Sequence, residues 1–140
     1  MLDIDVPKKD LLDNLSKGKK ILFLAYSNAK VVGYLLTDKQ DVGVAFGHWL
    51  AVDKDFRKQG IASSLLDYWE NDALEQGAHM LRLWTTENDV SFYKNRGFTM
   101  AGLMPDSWCG VGHYLFYKTL RKSDEKRFLK EYLESKTQKP

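Results

Sequence analysis

The chain has little cysteine and little net charge, and it lacks long apolar runs. One cysteine, Cys109, among 140 residues excludes an intrachain disulfide framework and predicts a reducing, cytoplasmic setting. The three histidines lie far apart, and Cys109 with His113 is a lone pair without a second pair at zinc-ligand spacing, so no metal is expected. A net charge of +2 argues against nucleic acid or an anionic membrane as partner. Met1–Lys20 alternates acids and bases around no apolar segment, so no secretory leader is read there. No stretch is apolar for long enough to span a bilayer. Neither a Gly-x-x-x-x-Gly-Lys-Ser/Thr string nor a Gly-x-Gly-x-x-Gly string occurs, which removes the two commonest phosphate-binding loops.

The residues that are present describe a packed domain. Hydrophobic residues make up 44% and aromatics 13%, enough for one core, and residues 1–140 read as a single domain. A polar helical segment is expected around Lys8–Ser16, with Leu11, Leu12 and Leu15 on one side. Ile21–Tyr26 and Lys30–Thr37 read as strands joined by a Ser27-Asn28-Ala29 hairpin turn. Val44–Val52 is apolar on both faces, as expected of a central strand buried on both sides. Ile61, Leu65, Leu66, Trp69, Ala73 and Leu74 recur at helical spacing, Gly77 closes that helix, and Met80–Trp84 returns as a strand. Strand, crossover helix and strand imply a parallel pair with a right-handed connection. A short helix over Asp89–Asn95 follows. Phe98–Leu103 and His113–Lys118 then read as an antiparallel pair flanking a Met104–Gly112 loop. Residues 124–136 read as an amphipathic helix whose apolar stripe (Phe128, Leu129, Tyr132, Leu133) is expected to dock on its own domain rather than on a partner.

The parallel join frames the most informative stretch, Arg57-Lys58-Gln59-Gly60-Ile61-Ala62. Cations at a helix N-terminus are unfavourable by a few tenths of a kcal/mol each. They make sense where a polyanion such as a phosphate ester docks, whereas a solvated turn offset by Asp53 and Asp55 is the plain alternative.

At this point the sequence resembles the GNAT superfamily of acetyl-CoA-dependent N-acetyltransferases, over roughly residues 21–120. Its Arg/Gln-x-x-Gly-x-Gly/Ala signature is matched by Arg57, Gly60 and Ala62 after Leu50-Ala51-Val52. A second motif, a tyrosine four residues before Gly-Phe, is matched by Tyr93, Gly97 and Phe98. The resemblance implies an α+β fold: a mixed, mostly antiparallel twisted sheet with a central parallel strand pair, flanked by helices. It implies that the amides of Gln59, Gly60, Ile61, Ala62 and Ser63 cradle the coenzyme A pyrophosphate, with Arg57 and Lys58 adding charge. It also implies that Leu50, Ala51 and Val52 form the strand segment against which the pantetheine arm pairs.

Tyr93 is then the expected general acid toward the departing thiolate. Transfer from a phenol to a thiolate is uphill by roughly 2 kcal/mol, a tolerable step. Packing the short helix onto the sheet is the alternative role for this ring. His48 lies where the serotonin and arylalkylamine branch assigns a histidine to proton removal from the amine; a hydrogen-bonded core histidine is the alternative. An alkylammonium holds its proton about 3.5 pK units more tightly than an imidazolium, so a water relay or a desolvated amine is needed. Thr86 stands seven residues before Tyr93, where family members often carry asparagine. Asn88 reads as a helix cap, and both are kept as weak coenzyme contacts. Trp108 reads as an acceptor-pocket residue or a loop anchor, and Cys109 as a small apolar residue.

The expected activity is acetyl transfer from acetyl-CoA to a primary amine by direct attack in a ternary complex, since no serine or cysteine with a paired base is evident. The expected acceptor is a small-molecule or peptide amine, and the protein a monomer or homodimer. The rival is a coenzyme-binding regulatory module without chemistry.

Overall fold

The computed structural model describes Leu15 and residues 17–137. The expected helix around Lys8–Ser16 therefore lies outside the described residues, apart from Leu15, which is helical. Six strands form one sheet: β1 (Lys20–Ser27), β2 (Lys30–Asp38), β3 (Val44–Val52), β4 (Met80–Thr85), β5 (Thr99–Trp108) and β6 (Val111–Thr119). Their order is β1-β2-β3-β4-β6-β5. All neighbours are antiparallel except β3 and β4, so the α+β architecture with one central parallel pair holds.

The first hairpin turns on Asn28 and Ala29, both at positive φ (50° and 65°), as a two-residue turn between right-twisted strands demands. Crossover helix α1 (Ile61–Glu75) buries Leu65, Leu66, Trp69 and Ala73. They meet Leu35, Ala45, Leu81, Leu83 and Phe116 of the sheet. Burying each large side chain is worth roughly 1.5–3 kcal/mol, which outweighs the few tenths lost to cations at the helix start. A short helix, α2 (Val90–Asn95), adds Tyr93 to the same core, joined by Phe98. Lys118 on β6 ties these parts together, donating to Glu70 of α1 at 2.9 Å and to the Arg96 carbonyl at 3.1 Å.

Four details differ from the sequence reading. The strand with an unbroken buried run is β2, over Val32–Thr37, whereas β3 opens to solvent at His48 and Trp49. A β-bulge causes this: Thr37 faces Gly47 and Leu36 faces Trp49, which leaves His48 as the extra residue. The Met104–Gly112 segment is mostly strand, with only Cys109 and Gly110 between β5 and β6. A register break between Met104 and Trp108, with Pro105 and an Asp106 at φ 50°, disguised the strand. Asn88 is not the helix cap: it lies inside a 3-10 turn, Glu87–Asp89, and Asp89 occupies the N-cap of α2. Finally, on helix α3 (Glu125–Thr137) Leu129, Tyr132 and Leu133 remain 58%, 46% and 53% exposed, so these three side chains do not dock on the described residues.

Candidate functional site

The site begins where β3 and β4 part. Their parallel pairing runs from Val44–Met80 to Gly47–Leu83 and stops there. Beyond that point β4 continues to pair only with β6, through Trp84–Leu115 and Thr85–Tyr114. Residues 49–52 of β3 remain paired with β2 on one side and, among the described residues, have no strand partner on the β4 side. Gly47 sits at the fork because Trp69 lies against it; a Cβ there would stand 2.9 Å from the indole.

A cavity of about 580 Å³ occupies this fork. Its inner wall is buried and apolar, from Leu35, Leu66, Trp69 and Leu83. Its outer wall is more exposed and aromatic, with Trp49, Trp84 and Trp108. Of the residues singled out from sequence, the cavity gathers His48, Leu50, Thr86, Tyr93 and Trp108. Ala51, Val52, Asn88 and residues 57–63 lie outside its lining.

The loop after β3 is built by local bonds. The Asp53 carboxylate accepts from the Asp55 amide at 3.0 Å, and that bond above all holds its pKa below the usual value. Arg57 donates to the Val52 carbonyl at 3.2 Å, so this cation is tied back to the strand end. Gly60 is the N-cap of α1 at φ 80°, a conformation that side chains disfavour, and a Cβ there would meet nothing within 4 Å. The loop backbone thus faces open space. The first amides of α1 have no carbonyl one turn back to bind, so their N–H groups are free to serve an anion.

Tyr93 is buried, with its ring edge-on to Phe92 and Phe98 at 5.1 and 5.7 Å. Burial above all, and then the nearby Asp89 carboxylate, push the phenol pKa up. The group therefore stays protonated throughout the ordinary pH range.

His48 is not a core histidine. It is exposed at the cavity wall, with Nε2 2.8 Å from Asp38 Oδ2 and 3.2 Å from Lys20 Nζ. Lys20 also pairs with Asp38. Burial opposes ionisation of Asp38, but the hydrogen bonds from Lys20 and His48 outweigh it and hold the carboxyl below its usual pKa. The carboxylate, nearer to Nε2 than the Lys20 ammonium, favours the proton there, and that tautomer has Nδ1 as its basic nitrogen.

Sequence reasoning missed Asp38 and Lys20, because only the β1–β2–β3 register brings them to His48. It also missed the pair formed by Ser107 Oγ and His113 Nδ1 at 2.9 Å, both lining the cavity. That pair spans the unrecognised part of β5. Cys109 is exposed at the hairpin tip rather than serving as a small apolar residue. Among the described residues no cluster of three metal-ligating side chains occurs, and no helix is long and apolar enough to cross a membrane.

Comparison with known proteins agrees with this geometry. N-alpha-acetyltransferase 30 of Dictyostelium discoideum is 30% identical over 91 residues, which is 61% of this chain and 49% of that protein. The chain thus spans about half the length of this relative. The ribosomal-protein-S18-alanine N-acetyltransferase of Escherichia coli shares the fold at a TM-score of 0.75 and 18% identity, over 86% of this chain and 81% of that one. An aminoglycoside 6'-N-acetyltransferase complexed with coenzyme A superposes at a TM-score of 0.71 and 18% identity, over 81% and 79% of the two chains. At such identities the structural likeness is one of fold. The family model for the acetyltransferase (GNAT) family matches residues 3–98, beginning nearer the N-terminus than the sequence motifs suggested and ending at the Tyr93–Phe98 motif. With its central strand fork, basic loop and tyrosine motif inside a match covering more than half its length, this chain belongs to the GNAT acetyltransferase family.

Proposed function

We propose that the protein transfers the acetyl group of acetyl-CoA to a primary amine by direct attack in a ternary complex. The observation that carries this reading is the departure of β3 from β4 immediately after Gly47, which leaves a main-chain edge and a cavity beside each other. The edge at Leu50, Ala51 and Val52 suits the amide groups of a pantetheine arm, much as an extended peptide adds to an open strand. Arg57 already occupies the Val52 carbonyl and the Ala51 carbonyl is turned toward β2, so Leu50 carries more of that pairing. The amides of Gln59 through Ser63 receive the pyrophosphate, and the exposed Lys58 adds charge beside them. Thr86 contributes to the cavity wall; Asn88 lies outside it and has the weaker claim to a coenzyme contact.

In the reaction the amine nitrogen bonds to the thioester carbonyl carbon and the carbon–sulfur bond then breaks. Tyr93 gives its proton to the departing thiolate. His48 takes the proton lost by the amine, through its free Nδ1 or an intervening water. The raised pKa of Tyr93 makes full transfer to the thiolate harder than for an ordinary phenol. The hydroxyl therefore acts first as a hydrogen-bond donor and yields its proton only as charge develops on sulfur. Much of the acceleration comes from holding the two substrates together. An exposed thiol at Cys109 suits a reducing compartment such as the cytosol.

The test is coenzyme A release from acetyl-CoA with the full chain across simple amines, polyamines, aminoglycosides and peptide N-termini. Release that depends on one acceptor class supports the reading. Tight coenzyme binding with no release for any acceptor overturns it in favour of a non-catalytic coenzyme-binding module.

A further inference from the structure

The β5–β6 hairpin carries chemistry that the proposed reaction does not use. Ser107 and His113 are joined at 2.9 Å between Oγ and Nδ1, and both line the cavity. Their meeting is a consequence of the irregular strand: β5 breaks register between Met104 and Trp108, with Asp106 at φ 50°, and this re-aims Ser107. His113 itself lies opposite Met104 and one residue before Tyr114, the partner of Thr85 at the end of β4. It therefore stands beyond the β3–β4 fork on the β6 side, while His48 stands on the β3 side. The two imidazoles approach one cavity from different walls.

Their surroundings differ in charge. The Nε2 of His48 is committed to the Asp38 carboxylate, with the Lys20 ammonium 3.2 Å away. Among the described residues His113 has only the neutral Ser107 hydroxyl as a polar partner. When Nδ1–H donates to Ser107 Oγ, the lone pair of Nε2 is left available as a proton acceptor. That tautomer also suits the protonated ring, whose Nδ1–H keeps the same acceptor.

We propose that His113, oriented by Ser107, is a second proton acceptor for the amine, acting on the β6 wall of the cavity alongside His48. The inference rests on the acetyl-transfer reading and adds a catalytic residue to it. As the amine nitrogen bonds to the thioester carbonyl carbon, its N–H becomes acidic. Nε2 of His113 takes that proton, directly or through one water, while coenzyme A leaves as the thiol with the proton of Tyr93. Ser107 is a positioning residue that holds the ring and its tautomer.

The experiment measures kcat/KM for an accepted amine against pH in wild type, His113→Gln, His48→Gln and the double variant, with coenzyme A release as the signal. His113→Gln is expected to lower kcat/KM for the amine at least fivefold at neutral pH while leaving KM for acetyl-CoA unchanged. His48→Gln is expected to retain the limb that His113 contributes, and the double variant to keep only the rise that follows accumulation of the free amine. Ser107→Ala is expected to displace the limb attributed to His113, with Ser107→Thr restoring it, a pattern that loss of packing does not produce. An unchanged rate and pH profile for His113→Gln in both backgrounds overturns the inference and leaves acetyl transfer standing. Absence of coenzyme A release with every amine overturns the transfer reading, and this inference with it.

Discussion

At Tyr93, burial acts in two directions. It keeps the phenol protonated at any pH the protein meets, and it makes the same phenol a more reluctant acid. We predict that Tyr93→Phe lowers kcat at least tenfold and leaves KM for acetyl-CoA within twofold, as steady-state kinetics will read; unchanged turnover removes Tyr93 from the mechanism. Ionisation of Tyr93 is also expected to cause no loss of activity up to pH 10, because its pKa is raised. Asp38 is the opposite case, with its pKa below that of an unfolded aspartate. Its pairing with Lys20 and His48 therefore stabilises the fold above about pH 4, and that contribution fades as pH falls through the lowered folded value. Accordingly, the stability gap between wild type and Asp38→Asn in urea titrations is expected to be open at pH 7 and to narrow as the pH falls below about 4. A gap that widens on acidification would contradict the pairing. His48 was visible in the sequence as the only ionisable group in its strand, but its partners were not, because they lie 28 and 10 residues earlier in the chain.

At the scale of elements, the fork in the sheet and the start of the crossover helix each depend on a glycine, for different reasons. Gly47 is required by contact: a methyl group there meets the Trp69 ring at 2.9 Å, and the buried indole has little room to move. Gly47→Ala is predicted to cost about 1–3 kcal/mol in chemical denaturation, the range typical of overpacking. Gly60 is required by its backbone, since its Cβ position is empty while φ is 80°. Gly60→Ala is predicted to cost only about 1–2 kcal/mol in stability, the penalty for a left-handed side-chain residue. It is expected to raise KM for acetyl-CoA at least tenfold, because the added methyl faces the side on which the pyrophosphate is proposed to sit. A normal KM would mean that this loop does not hold the donor. The spacing of Gly60 and Ala62 after an apolar strand was legible in the sequence because it is a local signal. The bulges at His48 and around Asp106 were not, since a bulge is defined by the neighbouring strand and leaves the strand's own composition unchanged.

For the molecule as a whole, the notable surface is the stripe of α3. Leu129, Tyr132 and Leu133 are exposed, so at these positions the amphipathic pattern does not report burial against the described residues. Leu133→Ser is predicted to change the unfolding free energy by less than about 0.5 kcal/mol, the usual effect of a surface substitution. A loss of about 2 kcal/mol or more would instead mean that the stripe is buried in solution. Helical periodicity states that one face differs from the other; what covers that face is decided by distant parts of the molecule or by another chain. The same distinction applies to β2 and β3: apolar composition pointed to β3 as the doubly buried strand, yet β2 carries the continuous buried run.

The sequence by itself determined the elements whose signals are local. These are the first hairpin, the crossover helix between parallel strands, the glycine that opens that helix beside two cations, and the tyrosine four residues before Gly97-Phe98. Turn chemistry and side-chain period act within a few residues, so each can be read along the chain. The family resemblance implied that the strands carrying Leu50 and Leu83 splay apart; only the tertiary structure decided that they separate directly after Gly47, that His48 pairs with Asp38 beside Lys20, and that Ser107 and His113 face the same cavity. Those features arise from strand register, from one buried indole and from charges brought together across the sheet. These are relations between segments, and no single segment carries them.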